Sequence, residues 1–242
     1  MKFSIIIPVY NERATVAKLL DMVLEIKLEG IEKELIIVEG SSTDGTREIV
    51  RDYEKRTGVT VVYEDAPRGK GAAVRVGLSR VTGDVVLIQD GDLEYSPADY
   101  AKVLEPIRRG ECDVVFGSRV MTSPQAWQFR RFKGLERVYG FFVNFGGVLF
   151  TGLFNFLYGT KISDGATMFK VFQAKSLKEL TLRSNYFDYD WEISAKLAKK
   201  GLRFFDVPVA YKARSRADGK KIRFFRDGTL VLWAIVRYRF LD

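Results

Sequence analysis

The chain has 242 residues, 47% of them hydrophobic, enough for one globular domain with its own core. It has no histidine and one cysteine, Cys112, which excludes histidine acid–base chemistry, His-ligated zinc and an internal disulfide, and suits a reducing cytosol. The net charge of +8 is uneven: residues 1–120 carry 17 Lys/Arg against 21 Asp/Glu, and the rest carries 22 against 10, so the C-terminal half is expected to meet an anionic partner.

The apolar run within MKFSIIIPVYNE is too short for a signal peptide and is broken by Pro8, so it reads as mature sequence. Short β-branched runs at 3–7, 34–38, 59–63, 84–88 and 113–116 predict buried strands. Amphipathic stretches at 14–27, 46–56, 72–80 and 97–109 predict helices between them. Asn11 and Asp44 are candidate caps for the first two, and Ser96 with Pro97 opens the fourth. This alternation predicts an α/β fold, a mostly parallel sheet with helices on both faces. Ligands then bind beyond the carboxyl ends of the strands. Further on come a basic aromatic stretch (128–137), an uncharged one (138–160), a strand-like run (167–172), a helix near 190–200, a strand (203–207), a basic tail (212–226) and an apolar helix (229–240).

The chemistry-bearing residues follow the predicted strands. After the fourth comes Gln89-Asp90-Gly91-Asp92-Leu93-Glu94. In extended chain, alternate side chains face one way, so Asp90 and Asp92 can converge on one cation. Oxygen ligands suit Mg²⁺ or Mn²⁺ completed by phosphate and water. A bare D-x-D also fits a solvated turn; its place at a central strand end favours the cation. Strand one leads into Pro8, Tyr10, Asn11 and Glu12, and strand two into Glu39-Gly40-Ser41-Ser42-Thr43-Asp44. Acidic residues there can accept ribose hydroxyls, although Asp44 reads better as a helix cap. Strand three leads into Asp65 and Arg68-Gly69-Lys70-Gly71, which lacks P-loop spacing but offers backbone amides and Lys70 to a nucleotide.

IIIPVYNE, the SSTDGT turn, GKGAAV, QDGDLEYSP and GSR occur in an order and spacing that resemble a family 2 glycosyltransferase of the GT-A fold, within its dolichyl-phosphate mannose synthase-like group. The similarity continues through Asp164-Gly165, WEISAKLAKKG, VPVAY and the segment from Arg214 to Gly219-Lys220-Lys221, and so spans nearly the whole chain. It implies that Pro8, Tyr10, Glu12 and Glu39 line the nucleoside pocket. Asp90, Asp92 and Glu94 hold the metal, and Arg119, Arg214 and Lys220 or Lys221 meet phosphates. Where the family usually has Asp-Asp-Gly-Ser this chain has Glu39-Gly40-Ser41-Ser42, which implies reshaped ribose or base contacts. The expected organisation is one GT-A domain over 1–242. Residues 1–120 form its nucleotide-sugar half, 121–228 its acceptor half with an interfacial segment at 127–160, and 229–242 an apolar helix.

The resemblance also implies an inverting transfer of a hexose from GDP-mannose or, second, UDP-glucose to a polyprenyl (dolichyl-type) phosphate. That acceptor is already an anionic nucleophile. A glycan or glycolipid hydroxyl is the alternative and would need a base, for which Asp164, Asp190 and Glu192 are candidates. Segment 138–160 is long enough to span a bilayer, but it contains five glycines and two asparagines. A crossing would also put Arg214 and Lys220 on the side opposite Asp90. It reads better as amphipathic or re-entrant helices in the interface of a cytoplasmic-face peripheral protein; a helical pair on the protein's own core, or a dimer contact, is the other reading. A nucleic-acid partner is disfavoured, because the acidic site repels a phosphate backbone.

Overall fold

The strand β1 (Lys2–Val9) is buried along most of its length, because it lies between two parallel neighbours with helices over both faces. Its alternate residues divide between two cores. Phe3, Ile5, Ile7 and Val9 enter one, and Ile6 the other. The computed structural model describes residues 1–122, 136–214 and 224–241. In chain order, β1 is followed by α1 (Val16–Glu25), β2 (Glu32–Glu39), α2 (Thr46–Arg51), β3 (Val59–Tyr63), α3 (Lys70–Leu78) and β4 (Val85–Ile88). A 3₁₀ turn (Pro97–Asp99) runs into α4 (Tyr100–Arg108), followed by β5 (Val114–Ser118) and α5 (Glu136–Tyr158). The chain continues with β6 (Lys170–Gln173), α6 (Ala174–Leu177), α7 (Tyr189–Lys199), β7 (Phe204–Pro208) and α8 (Phe224–Phe240).

The seven strands form one sheet in the order β3-β2-β1-β4-β6-β5-β7. All neighbours are parallel except β6, which runs antiparallel to both β4 and β5. The first core packs α1 and α4 on one face through Leu19, Leu20, Val103 and Leu104. The second packs α3, α5, α7 and α8 on the other through Val74, Phe154, Ile193 and Ile235. The β1, β2, β4 and β5 ends therefore open on one side, and the loops after them share one crevice.

Two local expectations change. Asn11 caps no helix: α1 begins at Val16, while Asn11 has φ 50° and its side chain accepts the Thr43 amide at 2.8 Å. Asp44 does accept the Thr46 amide (3.0 Å) at the start of α2, and Ser96 accepts that of Ala98 (3.2 Å). The uncharged segment is a single helix rather than several, 23 residues long in α5. Lys220, Lys221 and the basic stretch up to residue 135 lie outside the described residues.

Helix α5 is apolar on two faces. Val143, Asn144, Thr151 and Phe154 are buried against the protein, while Phe141, Phe142, Phe145, Val148, Leu149 and Phe156 are exposed. The buried positions recur at helical spacing, so the helix packs along one stripe and leaves a second uncovered. Gly140–Tyr158 is long and apolar enough to cross a membrane, with 33% of it buried in the protein. On α8, Leu232, Trp233 and Phe240 are also exposed.

Candidate active site at the strand ends

A cleft of about 960 Å³ lies over the strand ends. Pro8, Tyr10, Glu12, Glu64, Lys70, Asp90, Asp92, Glu94, Arg119 and Arg214 line its polar part; Val143, Phe150, Trp191 and Leu232 line the apolar part. It thus joins the loops after β1, β3, β4 and β5 to the surface between α5 and α8.

The two aspartates stand in different surroundings. Asp90 pairs with Lys70 from the start of α3. Asp92 is 5% exposed, accepts the Glu94 amide at 2.9 Å and pairs with the Arg214 guanidinium. Burial, reinforced by the charges of Asp90 and Glu94 and opposed by Arg214, pushes the Asp92 carboxyl up to about 7. Arg214 also reaches Glu12 at 2.8 and 3.3 Å, bridging the loops after β1 and β4.

Glu94 departs from the expected metal set. Its carboxylate accepts the Tyr211 hydroxyl (2.9 Å) and the Arg214 amide (2.7 Å), and its carbonyl accepts the Lys212 amide (2.9 Å). It anchors the segment that delivers Arg214. Among the described residues no group of three acidic, histidine or cysteine side chains forms a ready cage. What fits a cation is the Asp90–Asp92 pair. Two hard oxygen donors suit Mg²⁺ or Mn²⁺ completed by phosphate and water, and a dication there would offset the burial, and after it the neighbouring carboxylate charges, that raise the Asp92 carboxyl.

The candidate bases are all engaged elsewhere. Asp164 takes Arg119 in a bidentate pair (2.7 and 2.8 Å) and also accepts its amide at 3.0 Å, with both side chains buried. Arg119 lies 5.1 Å from the centre of the Tyr211 ring; Asp164 therefore positions a cleft arginine and does not itself line the cleft. Glu192 is fully buried, accepting the amides of Arg183 and Ser184 at 2.8–3.0 Å. It holds the 183–185 turn, a structural task. Asp190 is paired with buried Lys170. The Gly69-Lys70-Gly71 backbone faces that same turn, since the Gly71 amide donates to the Asn185 carbonyl at 2.8 Å and a Cβ on Gly71 would lie 2.4 Å from the Ser184 oxygen. That amide is therefore used internally; what this loop brings to the aspartate pair is the Lys70 side chain, at Asp90.

Glu39 is also withdrawn. It is fully buried, accepting the Ser42 amide (2.7 Å) and Arg47 Nε (2.5 Å). The acidic residue that lines the cleft on this side is Glu64, one residue past β3, which sequence reasoning passed over in favour of its neighbour Asp65. Burial lifts its carboxyl above the ordinary range, opposed by Arg68 and Arg75 and reinforced by Glu39. Its place follows from register, which only the structure supplies: β3 pairs Tyr63 with Glu39, which puts Glu64 beside Gly40.

A mostly parallel sheet whose strand ends gather paired aspartates, flanking cations and an aromatic wall defines a GT-A-type glycosyltransferase. The chain belongs to glycosyl transferase family 2, whose family model matches residues 4–181. It is 31% identical over 234 residues to glycosyltransferase AglJ of Haloferax volcanii, covering 96% of this chain and 70% of that protein. It is 32% identical over 133 residues to a dolichol-phosphate mannosyltransferase of Pyrococcus furiosus, covering 54% of this chain but only 37% of that one. Among solved structures it resembles glucosyl-3-phosphoglycerate synthase from Mycobacterium tuberculosis in complex with Mn²⁺, uridine diphosphate and phosphoglyceric acid. The TM-score is 0.69 at 19% identity, covering 100% of this chain and 79% of that one; at that identity the likeness is one of fold.

Proposed function

We propose that this family 2 enzyme moves a hexose, mannose from GDP-mannose or second glucose from UDP-glucose, to a polyprenyl phosphate at the cytoplasmic face of a membrane. The observation that carries this reading is the cleft itself, which runs from Asp90 and Asp92 to the α5–α8 surface. The donor diphosphate would lie at the aspartates and the acceptor phosphate would enter from the apolar end. Relatives support the choice: one is named a dolichol-phosphate mannosyltransferase, and the solved synthase holds Mn²⁺ with a nucleotide.

In this mechanism an acceptor phosphate oxygen attacks C1 from the face opposite the diphosphate. The C1–oxygen bond breaks, and its electron pair leaves with the nucleoside diphosphate. Asp90 and Asp92 would hold Mg²⁺ or Mn²⁺, which supplies charge stabilisation for the departing diphosphate. Lys70 and Arg214 are the counter-ions of those aspartates; with Mg²⁺ or Mn²⁺ held there, their cationic ends would be available to phosphate oxygens of the donor. Arg119, fixed by Asp164, presents a rigid cation to phosphate in the cleft. The engagement of Asp164, Asp190 and Glu192 favours an acceptor that needs no base, and so the phosphate over a hydroxyl.

The exposed stripe of α5 and the outward side chains of α8 supply the membrane contact, with basic residues contributing about 1 kcal/mol each near an anionic surface. Arg214 touches Asp92, on the far side of α5 in the chain, which supports α5 lying in the interface rather than crossing it. Radiolabelled GDP-mannose or UDP-glucose with a short polyprenyl phosphate and Mn²⁺ tests the reaction. Label extracted into the lipid phase is the expected result. Transfer to glycan hydroxyls alone would refute the lipid-phosphate reading.

A further inference from the structure

The residue after β3, Glu64, extends the strand's pairing, its amide donating to the Glu39 carbonyl at 2.8 Å. Its side chain lines the cleft and, although only 8% exposed, accepts no hydrogen bond among the described residues. Arg68 and Arg75 act on it through space, but Arg75 gives its hydrogen bonds to Ser184 and Asn185. The Glu64 carboxylate oxygens are not among the fully enclosed, unpartnered side-chain atoms of the described residues; what exposure the residue keeps is at its acceptor end, and that end opens on the cleft.

Gly40 shapes that opening. A Cβ at residue 40 would stand 3.6 Å from Glu64 Oε2 and 3.6 Å from the Tyr10 Cβ. The carboxylate therefore leans across bare backbone toward Tyr10, an aromatic side chain 38% exposed in the cleft wall. From β4 to β3 there are three strand spacings, about 14 Å at about 4.8 Å each. That matches the reach of a nucleoside diphosphate from its phosphates to its base. With the diphosphate at Asp90 and Asp92, the base arrives between Tyr10, against which it stacks, and Glu64, which meets its edge.

We infer that Glu64 reads the base of the donor nucleotide and selects guanine, an assignment that rests on the nucleotide-sugar reading above. A carboxylate only accepts hydrogen bonds. Guanine offers two adjacent donors, N1–H and the 2-amino group, which match two carboxylate oxygens side by side. Uracil offers one N–H between two carbonyls, so the second carboxylate oxygen would face an acceptor. Adenine and cytosine present a bare ring nitrogen at the same place.

Calorimetric titration with GDP, IDP and UDP in the presence of Mn²⁺ tests this. IDP is GDP without the 2-amino group. The wild-type protein is expected to bind GDP about ten-fold or more tightly than either IDP or UDP. In Glu64→Gln, whose amide nitrogen opposes the base donors, the GDP-to-IDP ratio should fall to within about two-fold. Equal affinity of the wild type for GDP and IDP overturns the assignment without any variant having to fold, as does an unchanged ratio in Glu64→Gln. Mn²⁺ with inorganic pyrophosphate separates the two readings. Pyrophosphate binding that requires Asp92, with no guanine preference, refutes the role of Glu64 alone. If no such pyrophosphate binding occurs, the donor reading fails and the Glu64 assignment falls with it.

Discussion

Replacing Asp92 with asparagine should make the metal-free protein more stable while removing its donor binding. The side chain is buried beside Asp90 and Glu94, and its carboxyl moves from an ordinary 3.8 to about 7. At about 1.4 kcal/mol per unit, ionised Asp92 costs the fold about 4 kcal/mol above pH 7. Asparagine keeps the shape and can still accept the Glu94 amide, and Arg214 keeps Glu12 at 2.8 Å. The attraction of Arg214 is already included in that net value; allowing for imperfect packing of the amide and for solvent screening in the cleft, the gain is about 2–3 kcal/mol, or about 5–10 °C in Tm for a chain of this size. The sign with pH follows from the raised value. Between about pH 4 and 7 the unfolded state binds fewer protons at this site, so wild-type stability falls as pH rises through that window and the cost is complete above 7. Melts in EDTA should therefore show Asp92→Asn ahead of wild type at pH 8 and nearly level with it at pH 4.5. Adding Mn²⁺ and nucleoside diphosphate should raise the wild-type Tm and leave the variant unmoved. A variant less stable than wild type at pH 8 in EDTA, or a gap that ignores pH, would refute the reasoning.

Arg119→Met leaves Asp164 charged and buried without its partner, and should cost about 3–5 kcal/mol in urea denaturation; adding Asp164→Leu should recover much of that loss. Burial alone would raise the Glu34 carboxyl, but hydrogen bonds from Ser4, Thr82 and Lys2 outweigh it and lower the value to about 2. That stability is present above pH 4.5 and lost as pH falls toward 2, so acid melts should show Glu34→Gln losing about 1–3 kcal/mol less than wild type over this range. Phe145→Asp with Leu149→Asp, both on the exposed stripe of α5, should abolish flotation with anionic liposomes at an unchanged Tm; undiminished flotation would remove α5 from the membrane contact.

Much of the fold was legible because strands buried on both faces read as β-branched runs. Residues 59–63 form β3 as expected, and the strand expected at 3–7 lies inside β1. The reversed direction of β6 was not, since strand direction is set by which neighbour the chain meets on returning and leaves no periodicity of its own. The single long α5 was also misread: its glycines suggested breaks, yet Gly146 and Gly152 sit in open space within a continuous helix. In the site, Asp90, Asp92, Lys70, Arg119 and Arg214 meet in one cleft. Asp164, Glu39 and Glu192 look alike in sequence, but their hydrogen-bond partners are remote and spend them on structure.

By itself the sequence determined the alternation of strand and helix, the crevice at the strand ends and the presence there of a carboxylate pair. Each follows from local pattern: side-chain period, strand ends and residue type. Only the tertiary structure decided which carboxylates face the cleft and which are consumed by buried arginines and amides. It also decided that Glu94 anchors the Arg214 segment and that Glu64 leans over Gly40. Those outcomes depend on distances between residues far apart in the chain, and an acidic side chain has no fixed role until its donors are in place.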